Sequence, residues 1–91
     1  MHIAEFQEAM FEKFGREDKK KEKYLLIAAL AEEVGELAKA TLKKTKEEIA
    51  EEIADVIFVA IWIANYYHIK VEITLKEKYL KKSKEEIAKK W

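Results

Sequence analysis

The chain contains no proline and only two glycines, Gly15 and Gly35. Tight turns between β-strands depend on these residue types, whereas the alanine, leucine, lysine and glutamate that dominate here favour helices. Hydrophobic residues make up 49% of the 91 positions, which is enough to build a core. The sequence therefore predicts an all-α protein that forms one domain over residues 1–91.

Charge and cysteine content exclude several classes of protein. Eighteen basic residues balance eighteen acidic ones, so no net field favours nucleic acid or a membrane surface as a partner. The absence of cysteine excludes a disulfide scaffold and a zinc–thiolate site. The longest apolar run, residues 56–64, has nine residues and is too short to span a bilayer. With no secretion signal at the N-terminus, a cytoplasmic protein is expected.

Apolar residues at helical spacing predict the first two helices. The first covers residues 3–14 and is expected to end at Gly15, because glycine is common just after a helix. Residues 16–23 are rich in charge, and we expect a solvated connector there rather than a phosphate-binding patch. The second helix is expected over about residues 24–42.

The third helix is predicted to begin near Lys46, because Thr45 and Glu48 form a capping-box pattern. Residues 56–64 are apolar all the way round this helix, so it needs cover on every side and is expected to be central. A short turn at residues 43–46 joins the second and third helices. They should therefore form an antiparallel hairpin, the core of a four-helix-type bundle.

The C-terminal part carries weaker signals. Residues 69–75 alternate between apolar and polar, as in a β-strand, but no second alternating segment is present to pair with them. We interpret residues 69–71 as an extended connector into a fourth helix that includes Leu80. Ser83 and Glu86 form a second capping-box pattern, which predicts a short terminal helix.

Four acidic residues occupy helix faces that the fold should cover. Glu33 and Glu36 continue an apolar row of the second helix. Glu52 and Asp55 lead into an apolar row of the third helix. The two pairs are symmetric about Lys44, with the inner acids eight residues from it and the outer acids eleven. An antiparallel hairpin therefore brings them level, about 12 and 16 Å from the turn.

Converging carboxylates raise one another's pKa values and oppose folding unless a cation neutralises them. Oxygen ligands alone suit Mg²⁺ or Mn²⁺. A di-iron site normally uses Glu-x-x-His, and neither His2 nor His68 is so placed, so both histidines are expected to be surface or structural residues. The pattern predicts a divalent-cation site, although a single Glu-x-x-Glu in a glutamate-rich chain is usually a solvated face.

Two segments, LAEEVGELAKA at residues 30–40 and EEIADVIFVAIWIAN at residues 51–65, place Glu-Glu-x-x-Glu and Glu-x-x-Asp on successive helices. This pattern resembles the MazG-type nucleoside triphosphate pyrophosphohydrolases of the all-α NTP pyrophosphatase superfamily. The resemblance implies a MazG-like fold and Mg²⁺-dependent cleavage of (d)NTPs to a monophosphate and pyrophosphate, in nucleotide-pool cleansing. It also implies a homodimer or homotetramer, and a metal and catalytic site at Glu33, Glu36, Glu52 and Asp55.

Four further residues are candidates for substrate binding. The resemblance implies a late phosphate-binding lysine, which Lys78 matches, although lysine or tyrosine stands where the family has asparagine. Lys39 is a second candidate for phosphate, with a helix salt bridge to Glu36 as the alternative. Trp62 and Tyr66 are candidates for stacking on a base, with core packing as the alternative for Trp62.

Two other functions stay open from the sequence. A phosphoribosyl-ATP pyrophosphohydrolase of the same superfamily would also suit the EEIAD segment at residues 51–55. A non-enzymatic helical dimerisation module would use the acids only for solubility, but it leaves their symmetry about Lys44 unexplained. In either case the all-apolar part of the third helix predicts an oligomer, because so short a chain barely encloses it.

Overall fold

The computed structural model describes residues 1–14 and 19–91, without the side chains of residues 19–22. The elements are α1 (Ile3–Phe14), α2 (Lys19–Lys43), α3 (Lys46–Tyr66), α4 (Val71–Leu75), a π-helical turn (Lys76–Leu80) and α5 (Lys84–Ala88). No strand occurs in these ranges, so the protein is all-α, as predicted. No helix in the described part of the chain has the length and apolar content that a membrane span needs.

The predicted hairpin of α2 and α3 is the most extensively packed pair of elements among those described. Ala40 of α2 is fully buried, and Val59 of α3 is nearly so. The third helix begins at Lys46 as expected, because Thr45 is its N-cap and the Thr45 hydroxyl accepts a hydrogen bond from the Glu48 backbone N–H at 3.3 Å. A local capping signal therefore sets the register at which α3 leaves the turn.

Replacing Thr45 by alanine should lower the free energy of unfolding by about 1 kcal/mol, because it leaves the Glu48 N–H without its side-chain acceptor. Urea unfolding followed by circular dichroism measures the change. Thr41→Ala is the matched control. The Thr41 hydroxyl donates to the Ala38 carbonyl inside α2 and caps no N–H, so its loss should be neutral or slightly stabilising. Equal losses in both variants would argue against a capping role for Thr45.

Aromatic side chains hold α1 against one side of α3. Phe14 of α1 stacks on Trp62 with ring centroids 4.9 Å apart and meets Phe58 edge-on at 6.1 Å. Such pairs add about 0.5–1.5 kcal/mol beyond the area they bury. The side of α3 that carries Phe58 and Trp62 is therefore covered from within the chain.

The opposite side of the hairpin is open. Ile27 and Val34 of α2 and Ile53 and Ile57 of α3 are between 44% and 57% exposed. Measured round each helix axis in the same direction, they lie about 100–140° from the acid that faces the other helix, which is Glu33 on α2 and Glu52 on α3. In an antiparallel pair, residues placed in this way lie on the same side of both helices. We call these four residues the open apolar face. The expectation that α3 is enclosed on every side is therefore not met within one chain.

Boundaries elsewhere depart from the expected ones at two points. The sequence predicts a solvated connector at residues 19–23, but they are helical, because lysine and glutamate are good helix formers that extend α2. Residues 15–18, including the expected helix end at Gly15, lie outside the described residues. The second departure is at Val71, which the sequence predicts in the connector but which is the first residue of α4, because Gln7 Oε1 accepts a hydrogen bond from its backbone N–H. Ser83 and Glu86 form the predicted capping box of α5.

Candidate metal centre

Three of the four predicted acids meet between α2 and α3. One carboxylate oxygen from each of Glu33, Glu52 and Asp55 lies within 4.8 Å of the other two. Glu33 and Glu52 are half-buried, whereas Asp55 is exposed. This acidic cluster, made of Glu33, Glu52 and Asp55, is therefore anchored in the hairpin and open to solvent on the Asp55 side.

The ionised form of Glu33 is disfavoured by its surroundings in the acidic cluster. Desolvation raises the pKa of the Glu33 carboxyl, and the negative charges of Asp55, Glu52, Glu32 and Glu36 raise it further. Both causes disfavour the ionised form. The protein on its own therefore holds these carboxylates in an arrangement that is electrostatically unfavourable.

The donor set fits a hard divalent cation. Mg²⁺ binds six oxygens at about 2.1 Å, which places neighbouring ligands about 3 Å apart and opposite ligands about 4.2 Å apart. Oxygens within 4.8 Å of one another reach one such ion with small side-chain rotations. The acidic cluster contains no histidine, and an all-oxygen set suits Mg²⁺ or Mn²⁺.

Glu36, the fourth predicted acid, is not part of this closest group. It lies one turn after Glu33 on α2 and is half-buried. Its charge is among those that raise the pKa of Glu33. Glu36 therefore lies at the edge of the acidic cluster, where it acts on the cluster electrostatically.

The two candidate phosphate-binding lysines are exposed and lie on different elements. Lys39 is on α2, and in the described part of the chain it forms no ion pair with Glu36. Lys78 is on the π-helical turn, where a side-chain hydrogen bond with Lys90 and then the positive charge of Lys90 lower the pKa of Lys78. Its ammonium lies 5.8 Å from the centre of the Tyr79 ring. Within one chain, the structure gives Lys78 these neighbours rather than the acidic cluster.

The two candidate base-stacking residues lie on the second half of α3. Trp62 stacks on Phe14 of α1 and meets Phe58 of its own helix edge-on, so its ring takes part in core packing. Tyr66 meets Tyr67 edge-on at 4.8 Å. It also lines a small cavity of about 30 Å³ against α2. Both side chains are half-buried, which leaves part of each accessible.

Gln7 belongs to the Glu-Phe-Gln opening at residues 5–7, where the resemblance to the MazG-type enzymes is looser, and the sequence assigns it no role. It is buried on α1 and hydrogen-bonded to residues near position 70. Its position in the sequence indicates that its side chain faces the core. Gln7 shares a helical row with Ile3, Met10 and Phe14, where an apolar residue is expected. A polar residue in such a row is buried only if its hydrogen bonds are satisfied.

The chain matches the model of a known protein family. A family model of the MazG nucleotide pyrophosphohydrolase domain matches residues 21–87, about three quarters of the sequence, including the acidic cluster. The chain therefore belongs to the MazG nucleotide pyrophosphohydrolase family, which confirms the resemblance. No curated protein and no solved structure is significantly similar to it. Family membership indicates a nucleotide pyrophosphohydrolase of a generally metal-dependent kind.

Proposed function

We propose that this protein hydrolyses nucleoside triphosphates between the α and β phosphates, releasing a monophosphate and pyrophosphate, in the removal of unwanted nucleotides. The observation that carries the proposal is the acidic cluster, which lies within the region matched by the MazG family. Glu33, Glu52 and Asp55 would hold Mg²⁺ or Mn²⁺, with Glu36 as a further ligand or charge at the edge. Residues 1–91 would act as one domain.

The residues present account for the steps that such a reaction needs. A bound Mg²⁺ supplies charge neutralisation at phosphate oxygens and acidifies a water molecule. The exposed Asp55 side leaves room for a phosphate chain to approach, and a carboxylate of the cluster accepts the proton of the attacking water. The carboxylates of the acidic cluster would therefore serve both to bind the metal and to accept the proton.

Substrate contacts are proposed from exposure. Lys39 and Lys78 would contact phosphate oxygens, since both ammonium groups reach solvent. The accessible parts of Trp62 and Tyr66 would contact the base. The segment that carries Lys78 packs mainly on α4 rather than on the hairpin that carries the acidic cluster. Lysines of a second copy of the chain would therefore supply additional positive charge at the acidic cluster.

We propose that two copies pair through the open apolar face, either as a dimer or as part of a dimer of dimers. Its four large aliphatic residues are 44–57% exposed and lie on the side of the hairpin opposite α1, where a second copy would bury them. Pairing two hairpins through this face forms a four-helix layer. Asp55 points to a different side of α3 from the open apolar face, so it stays exposed outside this interface.

Product analysis on a panel of triphosphates tests the proposed activity. The panel contains ordinary and modified (d)NTPs and phosphoribosyl-ATP, each with MgCl₂ or MnCl₂, and ³¹P NMR identifies the products. We expect a nucleoside monophosphate and pyrophosphate. Turnover of phosphoribosyl-ATP alone would favour the sister activity. No turnover of any compound would favour a non-enzymatic dimerisation module.

Glu33→Gln tests whether repulsion between the carboxylates of the acidic cluster destabilises the metal-free protein. In EDTA at pH 7 the melting temperature of this variant should exceed that of the wild type, because an uncharged amide replaces a carboxyl whose pKa is raised. In MgCl₂ at 100 times its dissociation constant the wild type should gain about 2.7 kcal/mol, and the variant much less. Differential scanning calorimetry measures both, with Glu51→Gln as the control. A variant that is less stable in EDTA would contradict the account.

A further inference from the structure

Among the residues whose burial is described, Gln7 alone is both polar and buried, with 9% of its surface exposed. The other buried residues in this set are hydrophobic. Burying an amide side chain costs free energy unless its donor and acceptor are both satisfied. The partners of Gln7 therefore show what this position is for.

Those partners lie at the end of α3 and the start of α4. The Gln7 Nε2 group donates to the Ile69 carbonyl, and Gln7 Oε1 accepts from the Val71 backbone N–H at 3.2 Å. From the other side, Asn65 Nδ2 donates to the Gln7 backbone carbonyl at 3.0 Å. These bonds join residues 58 to 64 positions apart, and together they tie α1 to the connector between α3 and α4.

The bond to Val71 also replaces a missing helix cap. Val71 is the first residue of α4, so its N–H has no partner within that helix. The residue at the N-cap position, Lys70, makes no capping hydrogen bond with its side chain. Gln7 Oε1 supplies the acceptor that the local sequence lacks. The start of α4 therefore depends on a side chain from α1.

We propose that Gln7 is a positioning residue. It fixes the C-terminal segment, residues 69–91, against α1 and thereby sets where Lys78 is presented. α4 packs on α1 and on the π-helical turn that carries Lys78, so the clamp acts on this lysine through two consecutive elements. The role assigned to Lys78 rests on the proposed function, whereas the clamp itself rests only on the hydrogen bonds.

Hydrogen exchange measured by NMR tests the clamp without any activity. Gln7→Met keeps the length of the side chain and removes both side-chain hydrogen bonds. The Val71 amide and the following amides of α4 should exchange at least about tenfold faster, while amides of α3 change less than about twofold. Gln7→Glu keeps an acceptor for Val71 and should have a smaller effect. Glu12→Gln, an exposed change on the same helix, should have none.

Kinetics test the positioning role. With MgCl₂ and the triphosphate hydrolysed fastest in the panel, Gln7→Met should raise KM about tenfold and change kcat less than about threefold. Binding of Mn²⁺ alone should be unchanged. Adding Lys78→Ala to Gln7→Met should raise KM by clearly less than the product of the two single effects, because the first change already displaces the lysine.

Several results would overturn this proposal. Unchanged exchange in α4, or equally faster exchange in α3, would show that Gln7 does not act specifically on the C-terminal segment. Multiplicative effects in the double variant, or weaker Mn²⁺ binding in Gln7→Met, would reject the route through Lys78. If the wild type turns over no triphosphate, the proposed function fails, and the exchange data still decide whether Gln7 is a clamp.

Discussion

Asp55→Asn and Glu52→Gln are each expected to lower kcat for triphosphate hydrolysis by at least about a hundredfold. Both substitutions remove a charged oxygen donor from the acidic cluster, in which the three ligand oxygens lie within 4.8 Å of one another. Neither should unfold the protein, because each change relieves repulsion between carboxylates. Steady-state pyrophosphate release measures the rate, and circular dichroism checks the fold.

Glu51→Gln is the matched control for these two variants. Glu51 is adjacent to Glu52, is exposed and does not belong to the acidic cluster. Its activity should stay within about threefold of the wild type. If Glu51→Gln loses as much activity as Glu52→Gln, the loss reflects general surface charge. If Asp55→Asn keeps full activity, Asp55 has no part in the site.

Ile57→Glu is expected to convert the assembled protein to a monomer. The substitution places a carboxylate at the centre of the open apolar face, where pairing would bury it without a partner. Burying an unpaired charge costs about 3–5 kcal/mol, which weakens association by about 10² to 10⁴. Sedimentation equilibrium should give the wild type a mass of about two or four times 10.7 kDa at micromolar concentration, and the variant 10.7 kDa.

The control introduces the same change on another surface. Ile73 on α4 is 58% exposed, compared with 51% for Ile57, and α4 packs mainly on the π-helical turn and on α1. Ile73→Glu should leave the assembly intact. A monomeric wild type, or dissociation of both variants alike, would show that the open apolar face is not the interface.

The hairpin and its acids were predictable because the signals that specify them are local. The capping-box pattern at Thr45 predicts the N-cap of α3 that the structure contains. The turn between α2 and α3 is so short that the two helices must be antiparallel. Helix periodicity then fixes which residues face each other. The convergence of Glu33, Glu52 and Asp55 follows from their spacing about Lys44.

The parts that escaped prediction depend on contacts between distant segments. Gln7 stands out only as a polar residue in an apolar row of α1, and its partners Ile69 and Val71 come next to it only in the folded chain. Likewise, the cap of α4 lies 64 residues away in the chain, so no local motif reveals it. The early start of α2 was missed for a different reason, since a run of lysines is compatible with both a helix and a solvated loop.

The position of bond cleavage is the most direct test of the proposed activity. Hydrolysis is carried out in ¹⁸O-water with MgCl₂, and mass spectrometry locates the label in the products. Attack on the α phosphorus predicts ¹⁸O in the nucleoside monophosphate and none in the pyrophosphate. Label in the pyrophosphate, or release of orthophosphate with a nucleoside diphosphate, would contradict the assignment of this protein as a nucleoside triphosphate pyrophosphohydrolase that acts at the α phosphorus.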